Sequence, residues 1–155
     1  MVHGRSGRLR AAAVIMAAAC MLVFFGGCAE RADAMKDGYY TAEAAEFDEH
    51  GWKEYITIYV SGGTIITTDY NAKNASGFIK SWDMEYMRVM NRVSGTYPNE
   101  YTRLYAESLM NSQDVAQVDA ITGATHSYHT FVKLADAVIK QAQSGDKSVC
   151  FLDIA

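Results

Sequence analysis

The sequence predicts a single α+β domain in which helices pack on one face of an antiparallel sheet. Segments rich in β-branched and aromatic residues, typical of strands, lie between residues 38 and 70. Segments with apolar residues at three- and four-residue spacing follow between residues 76 and 144. Strands first and helices later are typical of an α+β domain rather than of strands that alternate with helices around a parallel sheet.

Three strands are predicted as an N-terminal meander. Residues 38–47 open with a Tyr-Tyr-Thr run that favours extended structure, and a turn-forming segment follows. Residues 55–60 alternate Tyr or Thr with Ile or Val, the pattern of a half-buried strand. The Gly62-Gly63 pair supplies the positive dihedrals of a two-residue hairpin, so residues 64–70 are expected to return as the third strand.

Three helices are predicted after the strands. Residues 76–93 contain no Gly or Pro except Gly77, and apolar residues recur there at mixed three- and four-residue spacing. A turn with Gly95 and Pro98 separates this segment from a second helix at residues 99–111. The last helix is the clearest, because its apolar residues fall at i, i+3, i+4, i+7 and i+8 from Phe131. Gly145 is placed to end it.

The N-terminal segment is predicted to be a signal peptide, residues 1–27. It has a basic start, an apolar run from Ala11 to Phe25 and a Gly-Gly pair before Cys28. An apolar run of about fifteen residues is shorter than the ~20 that a membrane-spanning helix needs. Export is therefore favoured, and an uncleaved, slightly short anchor helix is the alternative.

Residues 25–28, Phe-Gly-Gly-Cys, resemble a bacterial lipobox. The resemblance implies that Cys28 is lipidated, becomes the first mature residue and anchors the protein outside the cytoplasm on the bacterial cell membrane. Acyl chains contribute roughly 0.8 kcal/mol for each buried methylene, so such an anchor is durable. Cys20 is a weaker competitor, because cleavage there leaves a very short apolar region.

Charge and cysteine content exclude several classes of protein. Three arginines leave with the signal peptide, so the mature chain holds 11 Lys plus Arg against 18 Asp plus Glu, a net charge of −7. This balance argues against nucleic acid as a partner. With Cys20 removed and Cys28 lipidated, Cys150 is the remaining thiol. Neither an intramolecular disulfide nor a dithiol redox pair is expected, and Cys150 is given no role.

Residues 119–127, Asp-Ala-Ile-Thr-Gly-Ala-Thr-His-Ser, lead directly into the last predicted helix. The Gly-Ala pair at 123–124 permits a close approach of the backbone, and the N–H groups of a first helical turn are free to bind an anion. The hydroxyl groups of Thr122 and Thr125 add donors. The segment is therefore suited to a phosphate group. Plain helix capping by Thr125 or Ser127 is the competing interpretation.

The same nine residues resemble the flavinylation motif of FMN-binding domains: Asp, two variable residues, Ser or Thr, Gly-Ala-Thr, a variable residue, and Ser or Thr. Every fixed position is matched. The resemblance implies that a separate flavin transferase takes FMN from FAD and esterifies its phosphate to Thr125. It also implies that the cofactor is bound by the neighbouring residues Asp119, Thr122, Gly123, Ala124, His126 and Ser127.

The likeness to these domains extends from Asp37 to Ser144. Residues 37–44 are similar to their opening strand and residues 60–66 to their second hairpin. Residues 80–87 and 95–101 resemble in particular the small exported lipoproteins called major membrane immunogens. A tyrosine follows the motif where many relatives carry a small hydroxylated residue, but that position is outside the fixed pattern.

Four segments follow from these assignments. Residues 1–27 are the signal peptide, residues 28–36 a tether, residues 37–145 the FMN-binding domain and residues 146–155 a C-terminal extension. An isoalloxazine ring requires flat apolar neighbours, and the central segments offer five aromatic candidates: Trp82, Tyr86, Tyr97, Tyr101 and Tyr105. Each is more typical of a core residue. Tyr97, in the turn, is the best placed to be exposed.

The function expected from the sequence is electron transfer by a bound FMN, since the cofactor supplies the chemistry and the protein positions it. The sequence has no nicotinamide-binding glycine pattern, serine-elbow motif or hydrolytic carboxylate pair, so the electron donor and acceptor are expected to be other molecules. Two alternatives remain. One is a surface lipoprotein that binds a ligand or host partner without flavin, and the other is a noncovalent FMN domain of a reductase complex.

Overall fold

The computed structural model describes residues 34–154. The predicted signal peptide, the predicted lipidation site at Cys28 and all but the last residues of the predicted tether lie outside them. Among the described helices, none combines the length and the apolar character needed to cross a membrane.

A four-stranded sheet in the order β3-β2-β1-β4 forms the base of the domain. Strands β1 (Gly38–Ala44), β2 (Lys53–Ser61) and β3 (Thr64–Lys73) are antiparallel, which confirms the predicted meander. Strand β4 (Cys150–Leu152) lies parallel to β1 and comes from the segment interpreted as a C-terminal extension. The sheet is therefore mixed: its antiparallel part is the predicted meander, and the parallel edge strand was not predicted. Three residues are too few to show a strand periodicity.

The side-chain alternation predicted for β2 is confirmed. Ile56, Ile58 and Val60 are fully buried, and the residues between them are half-buried on the opposite face. The turn to β3 uses Gly62 and Gly63, whose φ values of 60° and 74° favour glycine at both positions. One face of the sheet therefore carries the core.

The first helix begins later than predicted. Helix α1 spans Met84–Ser94, after a 3₁₀ turn at Lys80–Trp82. The Asn74 side chain accepts hydrogen bonds from the N–H groups of Ser76 and Phe78, both at 3.0 Å, and so holds a turn where a helix was expected. The Asp83 carboxylate then caps α1 by accepting from the N–H of Tyr86 at 2.9 Å. Such side-chain acceptors compete with helical hydrogen bonding, so the prediction of a helix from Ser76 is wrong.

Helices α2 (Pro98–Ser112) and α3 (Thr125–Ser144) complete the domain. Their predicted positions are confirmed to within a few residues, and Gly145 ends α3 with a φ of 79°. The five fully buried apolar residues of α3 lie on one face: Phe131, Leu134, Ala135, Val138 and Ala142. Helix α3 packs on β1 and β2, and α2 packs on β3. The predicted α+β class is confirmed.

Candidate functional site

The motif segment forms a tight turn directly before α3. Thr122 and Gly123 make the turn, and the N–H of Ala124 donates to the carbonyl of Ile121 at 3.0 Å. Gly123 has a φ of 84°, and a Cβ at this position would overlap the carbonyl oxygen of Ser94. A glycine is therefore required on two grounds, the backbone conformation and the contact with the end of α1.

Two tyrosines hold this turn, the buried Tyr105 and the half-buried Tyr128. The Tyr105 hydroxyl accepts from the N–H of Ile121 at 3.1 Å and donates to the carbonyl of Ala124 at 3.3 Å. The Tyr128 hydroxyl donates to the carbonyl of Val118 at 2.9 Å. The turn is thereby attached to α2 on one side and to the first turn of α3 on the other.

The structure decides against helix capping by the motif hydroxyl groups. The N-cap of α3 is Ala124, and no side chain there accepts a hydrogen bond from the first turn. Within the described residues, the N–H groups of Thr125, His126 and Ser127 have no hydrogen-bond partner. These three groups and the positive end of the helix dipole are available to an anion.

The predicted site residues fall into two groups. Asp119, Thr122, Gly123, Thr125 and His126 are exposed at the turn, while Ala124 and Ser127 are buried. The Thr125 hydroxyl is therefore accessible to another protein, as a site of covalent modification must be.

A cleft of about 780 Å³ opens beside the motif. Gly123, Ala124, His126 and Ser127 contribute to its lining, whereas Thr125 lies at its margin, outside the lining. The opposite side includes residues 46–54, the 3₁₀ turn and α1, and Asp153 and Ile154 follow β4 into it. The volume falls within the ~300–1,000 Å³ typical of small-molecule sites.

A buried carboxylate connects the sheet to α3 at the base of the cleft. Glu54 Oε2 accepts from the Tyr70 hydroxyl at 2.7 Å, and Oε1 accepts from the Ser127 hydroxyl at 3.0 Å. The Tyr70 hydroxyl also lies 2.8 Å from the carbonyl of Ser127. Burial raises the pKa of Glu54 above its usual 4.5, and the hydrogen bonds and Lys80 oppose this shift only in part. Ser127 is thus a structural contact of Glu54 rather than a helix cap.

Glu54 should make stability depend on pH. Because the folded state holds this proton more tightly than the unfolded state, the free energy of unfolding is expected to fall as the pH rises from about 4.5 through the folded pKa. Glu54→Gln keeps the side-chain volume and hydrogen-bonding capacity but cannot ionise, so it should lack this component. Urea unfolding of both proteins at several pH values measures the difference. Parallel loss of stability in the two proteins would contradict the assignment.

Lys80 lies close to this carboxylate and is 6% exposed. Its Nζ is 5.3 Å from the centroid of the Tyr86 ring and 5.8 Å from that of Trp52. Burial lowers the pKa of Lys80, and the charges of Glu54 and Asp48 act in the opposite direction. A cation and two aromatic rings therefore stand together on the wall that faces the motif.

The five aromatic candidates are distributed unequally. Tyr86 and Tyr101 line the cleft, and Tyr105 lies in the core beneath the motif. Trp82 is 65% exposed and, like Tyr97, lies outside the cleft lining. The prediction that Tyr97 is the most exposed of the five is wrong, because Tyr97 is half-buried directly before α2 whereas Trp82 is exposed.

Sequence reasoning missed most of the residues that line the cleft opposite the motif, among them Trp52, Glu54 and Lys80. A signal for Glu54 was present, since it continues backward the inward-facing series of Ile56 and Ile58. Trp52 and Lys80 follow turns rather than a periodic pattern, so their convergence on one cleft depends on the tertiary fold.

Comparisons with known proteins place this geometry in a wider context. Over 130 residues the chain is 34% identical to the 15 kDa lipoprotein of Treponema pallidum (strain Nichols), with 84% of this chain and 91% of that protein covered. The structure is similar to the crystal structure of the CPE2226 protein from Clostridium perfringens, with a TM-score of 0.74 and 39% identity. That similarity covers 77% of this chain and 98% of the other. No family model matches the chain.

Proposed function

The chain belongs to the family of the 15 kDa lipoprotein of Treponema pallidum, and on that premise we propose that it is a membrane-anchored flavoprotein that carries FMN on Thr125. The lipid on Cys28 holds the domain at the outer side of the bacterial cell membrane. There the flavin passes electrons between a donor and an acceptor that are separate molecules.

One observation carries the flavin proposal: the complete motif forms an exposed turn at a helix start with unpartnered N–H groups, next to a cleft. Three features occur together: the exposed Thr125 hydroxyl, a backbone conformation at residue 123 that only glycine tolerates, and a first turn of α3 whose N–H groups are open. Each feature suits a phosphate ester that a second protein must attach.

The residues present fit both ends of the cofactor. Phosphate suits the N–H groups of Thr125, His126 and Ser127, because they have no partner among the described residues and lie at the positive end of a 20-residue helix. A flat ring suits a cleft whose lining includes Trp52, Tyr86 and Tyr101.

Attachment is a transfer reaction in which the protein contributes only a nucleophile. The Thr125 oxygen forms a bond to the FMN phosphorus of FAD, the pyrophosphate bond breaks, AMP leaves and the hydroxyl proton is released. The flavin transferase supplies the catalysis, and it reaches Thr125 because this residue and the neighbouring Gly123 are exposed. When attached, the ring supplies reversible electron transfer.

Co-expression with a flavin transferase and FAD tests this proposal. The intact mass of the protein is expected to increase by one esterified FMN, and an absorption band near ~450 nm should remain with the chain after acid denaturation. A flavin that dissociates in acid would favour noncovalent binding. A colourless, unmodified protein would favour a lipoprotein without flavin.

The noncovalent alternative has one observation in its favour, because Thr125 lies outside the residues that line the cleft. A ring can occupy the cleft without an ester at its margin. The acid-denaturation step distinguishes the two modes of binding directly.

The membrane anchor gives a separate prediction. Cys28→Ser removes the only thiol of the Gly-Gly-Cys sequence, so the protein is expected to move from the membrane fraction to the soluble fraction. Cys20→Ser is the matched control and should stay with the membrane. Membrane partition of Cys28→Ser equal to that of the wild type would support the uncleaved anchor helix instead.

A further inference from the structure

Lys80 lines the cleft near the charges of Glu54 and Asp48 but forms no direct bond with either. Its side chain is 6% exposed, and in the described part of the chain its Nζ makes no hydrogen bond or ion pair. The Glu54 carboxylate is already engaged by two hydroxyl donors, those of Tyr70 and Ser127. The contacts of the ammonium are the faces of the Tyr86 and Trp52 rings.

Most of the Lys80 side chain is buried, but its Nζ is not among the fully enclosed polar atoms of the described residues, so the ammonium stays open to the cleft. The cation–π contacts replace only part of the hydration that it loses there. The lowered pKa of Lys80 has the same origin, because burial disfavours its charged form. Unfavourable local arrangements of this kind are expected at functional sites, where a ligand supplies the missing partner.

The surroundings define the chemistry of that ligand. Trp52 and Tyr86 meet edge to face, with ring centroids 6.1 Å apart and an interplanar angle of 69°. They leave apolar surface beside Lys80, the one Lys or Arg among the lining residues given for the cleft, whose other charged groups are carboxylates: Glu46, Asp48, Glu49, Glu54 and Asp153. A planar conjugated ring with an anionic or strongly polarised edge satisfies both features, since the ring contacts the apolar wall and the edge accepts from the ammonium.

We propose that Lys80 binds the polar edge of a planar ring in this cleft and, where the ring is the isoalloxazine of FMN, holds the reduced form more tightly than the oxidised form. The second part rests on the proposed function. Uptake of two electrons and one proton from a donor gives the ring a negative charge, and a nearby ammonium stabilises that charge. Lys80 therefore raises the reduction potential of the bound flavin.

A reductive titration of the full lipoprotein in detergent, with dithionite as the electron donor and a reference dye, tests the proposal. Lys80→Met should weaken the binding of the reduced flavin relative to the oxidised flavin at least tenfold. This change lowers the two-electron reduction potential of the flavin by about 30 mV. Lys80→Arg keeps the charge and should retain most of the wild-type value. Lys140→Met removes a charge from the exposed face of α3 and should leave the potential unchanged.

Thermal unfolding of the unmodified protein separates this role from a structural one. Met has a similar shape and removes the buried charge, so Lys80→Met is expected to melt at the same temperature as the wild type or higher. A variant that is less stable and has an unchanged flavin potential would overturn the proposal and assign Lys80 to the fold.

Riboflavin, which lacks the phosphate, makes the result independent of Thr125. Saturable quenching of the fluorescence of oxidised riboflavin by the unmodified wild type, together with a reduction potential of the bound riboflavin that is lower by at least about 30 mV in Lys80→Met, supports the ring site even where Thr125 is never labelled. Absence of riboflavin binding to the wild type would overturn the ring site, whatever happens at Thr125.

Discussion

Thr125→Ala is expected to abolish flavin that survives acid denaturation. The substitution removes the atom that forms the ester, while the turn at Thr122 and Gly123 and the tyrosine contacts beneath it stay in place. Mass spectrometry of the protein co-expressed with a flavin transferase measures the loss. Because Ala124 is the N-cap and Thr125 makes no capping bond, the free energy of unfolding should change by less than about 0.5 kcal/mol.

Two controls define which hydroxyl group is modified. Thr125→Ser keeps a nucleophilic oxygen and should retain at least partial labelling. Thr122→Ala removes the other exposed hydroxyl of the turn and should leave some attachment, since Thr122 supports the loop or the transferase contact only. Covalent flavin in Thr125→Ala, or a modified peptide that maps to Thr122 or Ser127, would assign the ester to a different residue.

Phe131→Ala is expected to lower the free energy of unfolding by about 3–5 kcal/mol, the cost of removing a buried aromatic side chain. Phe131 is fully buried, stacks on Tyr105 at 5.2 Å and meets Tyr70 edge to face at 5.0 Å. Those two tyrosines hold the motif turn and Glu54, so the substitution removes packing directly beneath the site. Urea unfolding measures the loss.

Phe78→Ala is the matched control, because Phe78 is 43% exposed and lies in the turn before the 3₁₀ segment. Its free energy of unfolding should stay within about 1 kcal/mol of the wild-type value. Equal destabilisation by the two substitutions would mean that Phe131 is less tightly packed than its contacts indicate. The unmodified wild type should melt cooperatively, since this core is built from the protein's own side chains.

Local chemistry made much of the fold predictable. The alternation in β2, the Gly62-Gly63 turn and the glycine after α3 each act within a few residues, and all three are confirmed. Competition between side-chain acceptors and helical hydrogen bonds also explains why the first helix begins later than predicted. Asn74 and Asp83 offer side-chain acceptors to nearby N–H groups, and these bonds delay the helix although the apolar spacing favours it earlier.

The short strand β4 shows the limit of such patterns. Three residues carry no usable periodicity, and their pairing with β1 depends on where α3 delivers the chain after Gly145. The segment interpreted as an extension therefore supplies both a sheet edge and, through Asp153 and Ile154, part of the cleft.

The sequence by itself determined the class of the domain, the place where α3 begins and the motif that precedes it, because spacing and residue type act locally. Only the tertiary structure decided that the motif hydroxyl groups do not cap the helix and that Trp52, Glu54 and Lys80 meet beside it. Burial and charge pairing arise from contacts between residues distant in the chain. Such contacts raise the pKa of Glu54, bring Lys80 close to the Tyr86 and Trp52 rings and shape the cleft.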